Sequence, residues 1–276
     1  VMLCDLVKKA LANSNNEMEG IVRVWNKICQ SEDELMGFEE HLKGRFRNIW
    51  NAFSADHGYM YATNYGTYYS DGTLNSILNY KNLTTNSGTM WGPSHEMGHN
   101  HQDLINVVGA TEVSNNLFAN VNVFLQGVST TRGNAVHDAL NYFADGKSWF
   151  DMSIWTQTRM YFQLYLYYHA QGHNPRFYQT LFKLLREDPM SKRSGDYDSS
   201  LKNGSGKAVG GYITYGRQNY LHLAKKICDA AQADLSEFFE VYGFFHPQEK
   251  RYIGDYSDYW VTTTQKDIDE AKAYMH

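Results

Sequence analysis

The 276-residue sequence predicts an α+β, mainly helical fold with a small sheet. Three observations carry that reading. Apolar residues recur at spacings of three and four through most of the chain, the period of a helix with one buried face. One stretch, from His57 to Trp91, drops that period for Tyr, Gly, Thr and Asn in near-alternation, the pattern of short strands and loops. Helix-start signals, such as Asn174-Pro175 and Asp234 ahead of Leu235, punctuate the second half.

Taken in order, residues 3 to about 53 carry helical spacing in Ile21, Val24, Trp25 and Ile28, and again in Leu35, Phe38, Leu42 and Phe46. This makes 1–56 a helical opening section. Tyr59, Tyr61, Thr63, Tyr65, Thr67 and Tyr69 then alternate, so 57–92 reads as strands and loops. From Pro93 helices return, at 94–106, 111–126, 134–145, 152–171, 175–187, 215–232 and 234–242. Ser191 to Gly211 interrupts them with about 20 residues of turn formers, and loops of that length are functional or disordered. No repeat or linker divides the chain, so 1–276 is expected to form a single domain whose helical section is 93–276. A length prior of roughly 150 residues per domain allows this, with a core that needs no disulfide or metal staple.

Composition excludes several functions. With 25 Lys and Arg against 30 Asp and Glu, the chain lacks the basic surface that nucleic-acid phosphates require. No run approaches the roughly 18 uninterrupted apolar residues of a membrane span. Cys4, Cys29 and Cys228 are too scattered for a disulfide scaffold or a Cys-based zinc site and read as buried thiols, with a Cys4–Cys29 bridge open. The start, Val-Met-Leu-Cys-Asp, has no basic leader, as expected of a mature segment or excised domain of a larger protein. A chain with 21 Tyr, 14 Phe and 6 Trp is rich in rings. Most belong in a core, but Tyr and Trp also suit carbohydrate and peptide clefts.

The chemistry lies in His95-Glu96-Met97-Gly98-His99. Positions i and i+4 of a helix stand one above the other, so His95 and His99 can offer two imidazoles to one Zn²⁺, with Glu96 beside them as general base. Gly92-Pro93 reads as the start of that helix, proline being suited to the first helical position. A third ligand has several candidates. Gln102 and Ile105 stand where a metzincin continuation needs Gly and His, which excludes that class. His101 faces nearly the opposite side, and Asp103 shares the His99 face but lies further along the same axis. Glu112 is better placed: Val107-Val108-Gly109-Ala110 turns the chain, Thr111 can cap a second helix, and Glu112 falls on its first turn. Two histidines and a glutamate leave a fourth position open, the catalytic arrangement of zinc. Asn116, four residues past Glu112, can bond a ligand from behind or be an ordinary polar residue. Asn115 projects to another side, where a substrate cleft would lie.

The run Trp91-Gly92-Pro93-Ser94-His95-Glu96-Met97-Gly98-His99-Asn100-His101-Gln102, followed by Thr111-Glu112-Val113-Ser114-Asn115-Asn116, resembles the enhancin-like, mucin-degrading zinc metallopeptidases (peptidase M60-like). Leu223 to Cys228 and Asp234 to Phe244 look like that family's C-terminal helical section. The similarity spans roughly 57 to 245. It implies a gluzincin fold, secretion or cell-surface display in bacteria, and cleavage of O-glycosylated host proteins such as mucins. Carried over by position, it makes His95, His99 and Glu112 the ligands of one Zn²⁺ and Glu96 the general base. The family's usual β-rich and carbohydrate-binding modules are missing from this stretch.

The expectation is therefore a monomeric zinc endopeptidase in which activated water attacks a peptide bond while Glu96 moves the proton. Tyr212, Tyr215 and His222 are candidates by type for the oxyanion donor. Trp91 either stacks on substrate or anchors the active helix in the core, and the 59–69 tyrosines can form an edge strand that pairs with an extended peptide. Arg132 and Arg159 are candidates for polar sugar or carboxylate contacts. Two other readings stay open: a glycoprotein-binding, peptidase-like module without activity, and a zinc peptidase acting on unglycosylated peptides.

Overall fold

A computed structural model of the chain describes residues 17–38, 52–128, 132 and 136–276. The chain divides into two compact units, each discontinuous in sequence: Val1–Asp103 with Asn115–Arg132, and Leu104–Ser114 with Gly133–His276. Among the described residues the strands form a three-stranded and a four-stranded sheet.

In the first unit, helix α1 (Met18–Leu35) buries Ile21, Val24, Ile28 and Leu35, the three-and-four spacing visible in its sequence. The rest of the predicted opening helix, including Leu42, Phe46 and Cys4, lies outside the described residues. Strands β1 (Ala52–Ser54), β2 (Met60–Thr63) and β3 (Gly66–Tyr69) follow. Their order is β1-β3-β2, with β1 parallel and β2 antiparallel to β3. Of the alternating tyrosines, Tyr61 lies on the edge strand β2, Tyr65 is exposed and Tyr69 is buried on the central strand. Beyond them the expected loops are instead the short helices α2 (Asp71–Ile77) and α3 (Tyr80–Thr85). Ser70 and Asn79 start these helices by accepting a backbone N–H three residues on.

Helix α4 (Ser87–His101) begins seven residues before its expected start. The Asn86 side chain caps it, accepting from Gly88 N at 2.9 Å and Thr89 N at 3.2 Å. Pro93 therefore lies inside the helix and not at its head, where, lacking an N–H, it leaves the Thr89 carbonyl without its helical hydrogen bond. The unit closes with α6 (Asn116–Leu125), which is packed against α4.

The second unit begins with the short turn α5 (Thr111–Ser114), whose Glu112 has the non-helical angles φ −92°, ψ 16°. The predicted continuous helix 111–126 is therefore two pieces. After α7 (Val136–Ala144) come α8 (Ile154–Leu164), which runs on as a π-helical turn over Tyr165–Ala170, and α9 (Phe177–Glu187). Helices α10 (Tyr220–Ala231) and α11 (Ser236–Val241) complete the set read from the sequence. The core is aromatic: Trp149, Tyr220 and Phe239 each pack a ring against Phe244 at centroid distances of 4.9–5.6 Å.

Here the sequence reading needs its largest correction. Residues 191–211 are not a structureless loop: β4 (Tyr197–Asp198) pairs with β5 (Gly211–Tyr215), and Lys202 bridges to Ala208. Strand β5 in turn runs parallel to β7 (Asp258–Thr263), which pairs antiparallel with β6 (Gln248–Gly254). Helix α12 (Gln265–Met275) ends the chain behind a reciprocal Thr264–Asp267 cap. Cys29 and Cys228 are free thiols.

Candidate metal centre

Helix α4 carries His95 and His99 one turn apart, their rings 4.9 Å between centroids and inclined by 82°. Each ring is oriented from behind. Asn116 Oδ1 lies 2.6 Å from His95 Nδ1, so Nδ1 carries the proton and donates, which makes Nε2 the nitrogen that bears the ring's lone pair. His99 Nδ1 lies 2.9 Å from the Gln102 side-chain amide, which holds that ring from behind in the same way. Glu96, next to His95 on the helix, is buried.

Gly98 lets α6 come close enough to do this. A Cβ there would stand 2.6 Å from the Asn115 carbonyl oxygen and 3.2 Å from the Phe118 ring. The helix is gripped from its other face as well: His101 Nδ1 and Glu32 Oε2 share a 2.7 Å hydrogen bond, and Asn122 donates to Glu32 Oε1 at 3.2 Å. Ser31 bonds the Asn122 amide oxygen in turn. Burial disfavours charge on both members of the first pair, raising the Glu32 carboxyl well above its ordinary range and lowering the His101 imidazole to about 4.

Asn115 joins Asn116 at the histidines. Because the helix breaks at Glu112, the four-residue phasing does not carry across, and Asn115 lies against the imidazoles. Its Nδ2 lies 3.1 and 3.2 Å from the two ring nitrogens of His95 and 3.1 Å from His99 Nε2. Near-equal distances to both nitrogens of one ring set the amide against the ring, not along a lone pair. Its Oδ1 is buried with no hydrogen-bond partner among the described residues.

Glu112 belongs to a segment tied down within its own unit. Asn219 Oδ1 accepts from Val108 N at 3.1 Å, and Tyr161 donates its hydroxyl to the Ile105 carbonyl at 2.9 Å. Asp255 accepts from both Thr111 N and Thr111 Oγ1, and Tyr256 donates to Glu112 Oε1 at 2.6 Å. Glu112 and Asn115 are three positions apart, so connectivity alone keeps their Cα atoms within about 11 Å of each other. Among the described residues, His95, His99 and Glu112 are the group of His, Cys, Asp or Glu able to share a metal ion, with one donor atom of each within 4.8 Å of the others. All three are half-buried. Two imidazoles and one carboxylate make a donor set that fits a divalent cation of intermediate softness.

The remaining candidates are placed as follows. Trp91 is 3 % exposed and carries the Arg132 guanidinium over its ring at 5.3 Å, which makes it a core anchor of α4 and not an open stacking face. Tyr212 is exposed on β5, and Tyr215 holds Arg217 over its ring at 4.6 Å. His222 Nε2 bonds the Asp188 carbonyl at 2.9 Å. Arg159 lies close to the Tyr242 hydroxyl. Asp255 and Tyr256 are absent from the sequence reading: they stand 144 residues beyond their partners Thr111 and Glu112, and no local pattern links such positions.

The family model described as peptidase M60, enhancin and enhancin-like, matches residues 2–243. The chain is 31 % identical, with a TM-score of 0.81, to a metallopeptidase solved in complex with Tn antigen, over 97 % of this chain and 48 % of that one. It matches a metallopeptidase from Bacteroides thetaiotaomicron equally well, over 97 % of this chain and 43 % of that one. The M60 catalytic domain of Clostridium perfringens ZmpC, solved with the sialyl T antigen, shares the fold at 18 % identity and a TM-score of 0.52, over 91 % and 42 % of the two chains. The chain thus spans less than half the length of these structures. No protein of curated function matches it.

Proposed function

The chain belongs to the peptidase M60, enhancin and enhancin-like, family, and from that premise we propose that it is the catalytic part of a zinc endopeptidase that cleaves O-glycosylated, mucin-like proteins outside the cell. The observation that carries the reading is the set His95, His99 and Glu112, whose donor atoms lie within 4.8 Å of one another. Three such ligands leave a coordination position open, as catalytic zinc requires. Zinc held there supplies Lewis-acid chemistry, polarising a carbonyl and making water acidic near neutral pH.

The protein's own residues do the rest. Asn116 and Gln102 fix the two imidazoles with Nδ1 engaged, so the Nε2 atoms are the ligands. Glu96, buried beside them, takes a proton from the water whose oxygen bonds to the scissile carbonyl carbon. It returns that proton to the amide nitrogen as the C–N bond breaks, so one water is consumed and the carboxylate is regenerated.

The glycoprotein substrate is supported by the 31 %-identical metallopeptidase solved with Tn antigen. No helix among the described residues is long and apolar enough to cross a membrane. The test is digestion of an O-glycosylated protein and of the same protein stripped of glycans. Each is incubated with the unaltered chain, with chelator, with chelator followed by zinc, and with Glu96→Gln. Cleavage of the glycosylated form alone, lost with chelator and restored by zinc, is the expected result. Equal cleavage of both forms would favour an ordinary peptide substrate. Binding without any cleavage would favour a recognition module, and an active Glu96→Gln protein would contradict the mechanism.

A further inference from the structure

The hairpin joining β6 to β7 grips the turn that carries Glu112 at two successive residues. Asp255 Oδ2 accepts from Thr111 N at 3.3 Å and from Thr111 Oγ1 at 2.8 Å, while the Tyr256 hydroxyl donates to Glu112 Oε1 at 2.6 Å. A hydroxyl donating to a carboxylate at that distance is of the strong, charge-assisted kind. The hairpin tip is wound tightly to make it. Asp255 N donates to the Ser257 carbonyl at 2.9 Å, and Tyr256 has φ +52°, a left-handed conformation that a bulky side chain adopts only under constraint. Burial does not supply that constraint, because Tyr256 is 84 % exposed. Glu112 is itself bent out of helical geometry, so the contact joins a hairpin tip to a kinked turn.

We propose that Tyr256 is a positioning residue for the metal-binding carboxylate: its hydroxyl holds Glu112 Oε1, and the carboxylate therefore presents its other oxygen as a single, oriented ligand. The inference rests on the zinc-site reading above and adds to it. Carboxylate ligands are held by hydrogen bonds from a surrounding shell, and loss of such a partner weakens metal binding by about 10–100-fold. Asp255 supports the same contact from the backbone side, since Thr111 N and Oγ1 fix where the turn begins.

The experiment compares the unaltered chain with Tyr256→Phe, Tyr256→Gly and Glu112→Ala. Zinc affinity is read by competition with a chromophoric chelator, ligand geometry by the visible absorption of the Co²⁺-loaded protein, and folding by thermal unfolding of the metal-free form. Tyr256→Phe keeps the ring and removes only the hydroxyl. It is expected to bind zinc about 10–100-fold more weakly, to shift the Co²⁺ bands, and to unfold at the unaltered temperature when metal-free. Tyr256→Gly, which also relieves the left-handed φ, is expected to show the same metal defect. Tyr256→Phe protein with unchanged zinc affinity and Co²⁺ spectrum overturns the proposal, as does a loss confined to metal-free stability. Glu112→Ala separates the two levels: if it retains zinc fully, the zinc-site reading has failed, whereas if it loses zinc and Tyr256→Phe does not, only the role of Tyr256 has failed.

Discussion

Replacing Gly98 by Ala sets two effects of opposite sign against each other. Alanine is the better helix former, by about 1 kcal/mol in a helix interior, and on that ground alone the variant would be more stable. The added Cβ, however, would stand 2.6 Å from the Asn115 carbonyl oxygen, where ordinary contact begins near 3.4 Å, so α4 and α6 must part by about 0.8 Å. The obstacle is backbone and a packed Phe118 ring, neither of which swings aside. Overpacking of this kind costs about 1–3 kcal/mol. The net expectation is a loss of about 0–2 kcal/mol, or up to about 8 °C in melting temperature for a chain of this size. The separation also pulls Asn116 Oδ1 from its 2.6 Å contact with His95, so zinc affinity should fall by about tenfold or more. Calorimetry of the metal-free protein and chelator competition read the two quantities separately. A melting temperature raised by about 2–4 °C with unchanged zinc affinity would show that propensity rules at this position and that the close approach has no bearing on the metal.

Further outcomes are expected on the same grounds. Asn116→Ala removes the acceptor for His95 Nδ1–H at a buried position and should weaken zinc binding by about 10–100-fold, measured by the same competition. Glu96→Gln should hold zinc as the unaltered chain does while turnover of a glycopeptide falls by about 100-fold or more. Zinc at about 100 times its dissociation constant should stabilise the protein by about 2.7 kcal/mol, seen as a higher melting temperature that chelator abolishes and that Glu112→Ala does not show.

What the sequence made legible was governed by short-range periodicity. The His95–His99 pair, with Glu96 between, is a consequence of helical spacing and can be read without any structure. Glu112 follows because a turn of four residues precedes it. Asn116 lies four residues past Glu112, the spacing that points to it in the sequence, and it contacts His95, but through a broken helix, not a continuous one. The same break turned Asn115 toward the imidazoles, and a periodicity argument cannot see a kink inside one turn. Pro93 does not mark the head of α4, because the helix starts at the Asn86 cap and runs through the proline, whose place inside it has no local signature. The second sheet was missed because β5 finds β7 more than 40 residues later in a parallel register, a contact with no local signature. Tyr256 belongs to the same class, its conformational strain and its partner both visible only in three dimensions.

The central claim is that His95, His99 and Glu112 together hold the metal. Elemental analysis of the purified chain after zinc loading and exhaustive dialysis tests it most directly, set beside Glu112→Ala protein whose circular dichroism shows an intact fold. One equivalent of zinc in the unaltered chain and its loss from Glu112→Ala is the predicted result. A full equivalent retained by the folded Glu112→Ala protein, or none bound by the unaltered chain, would contradict the account.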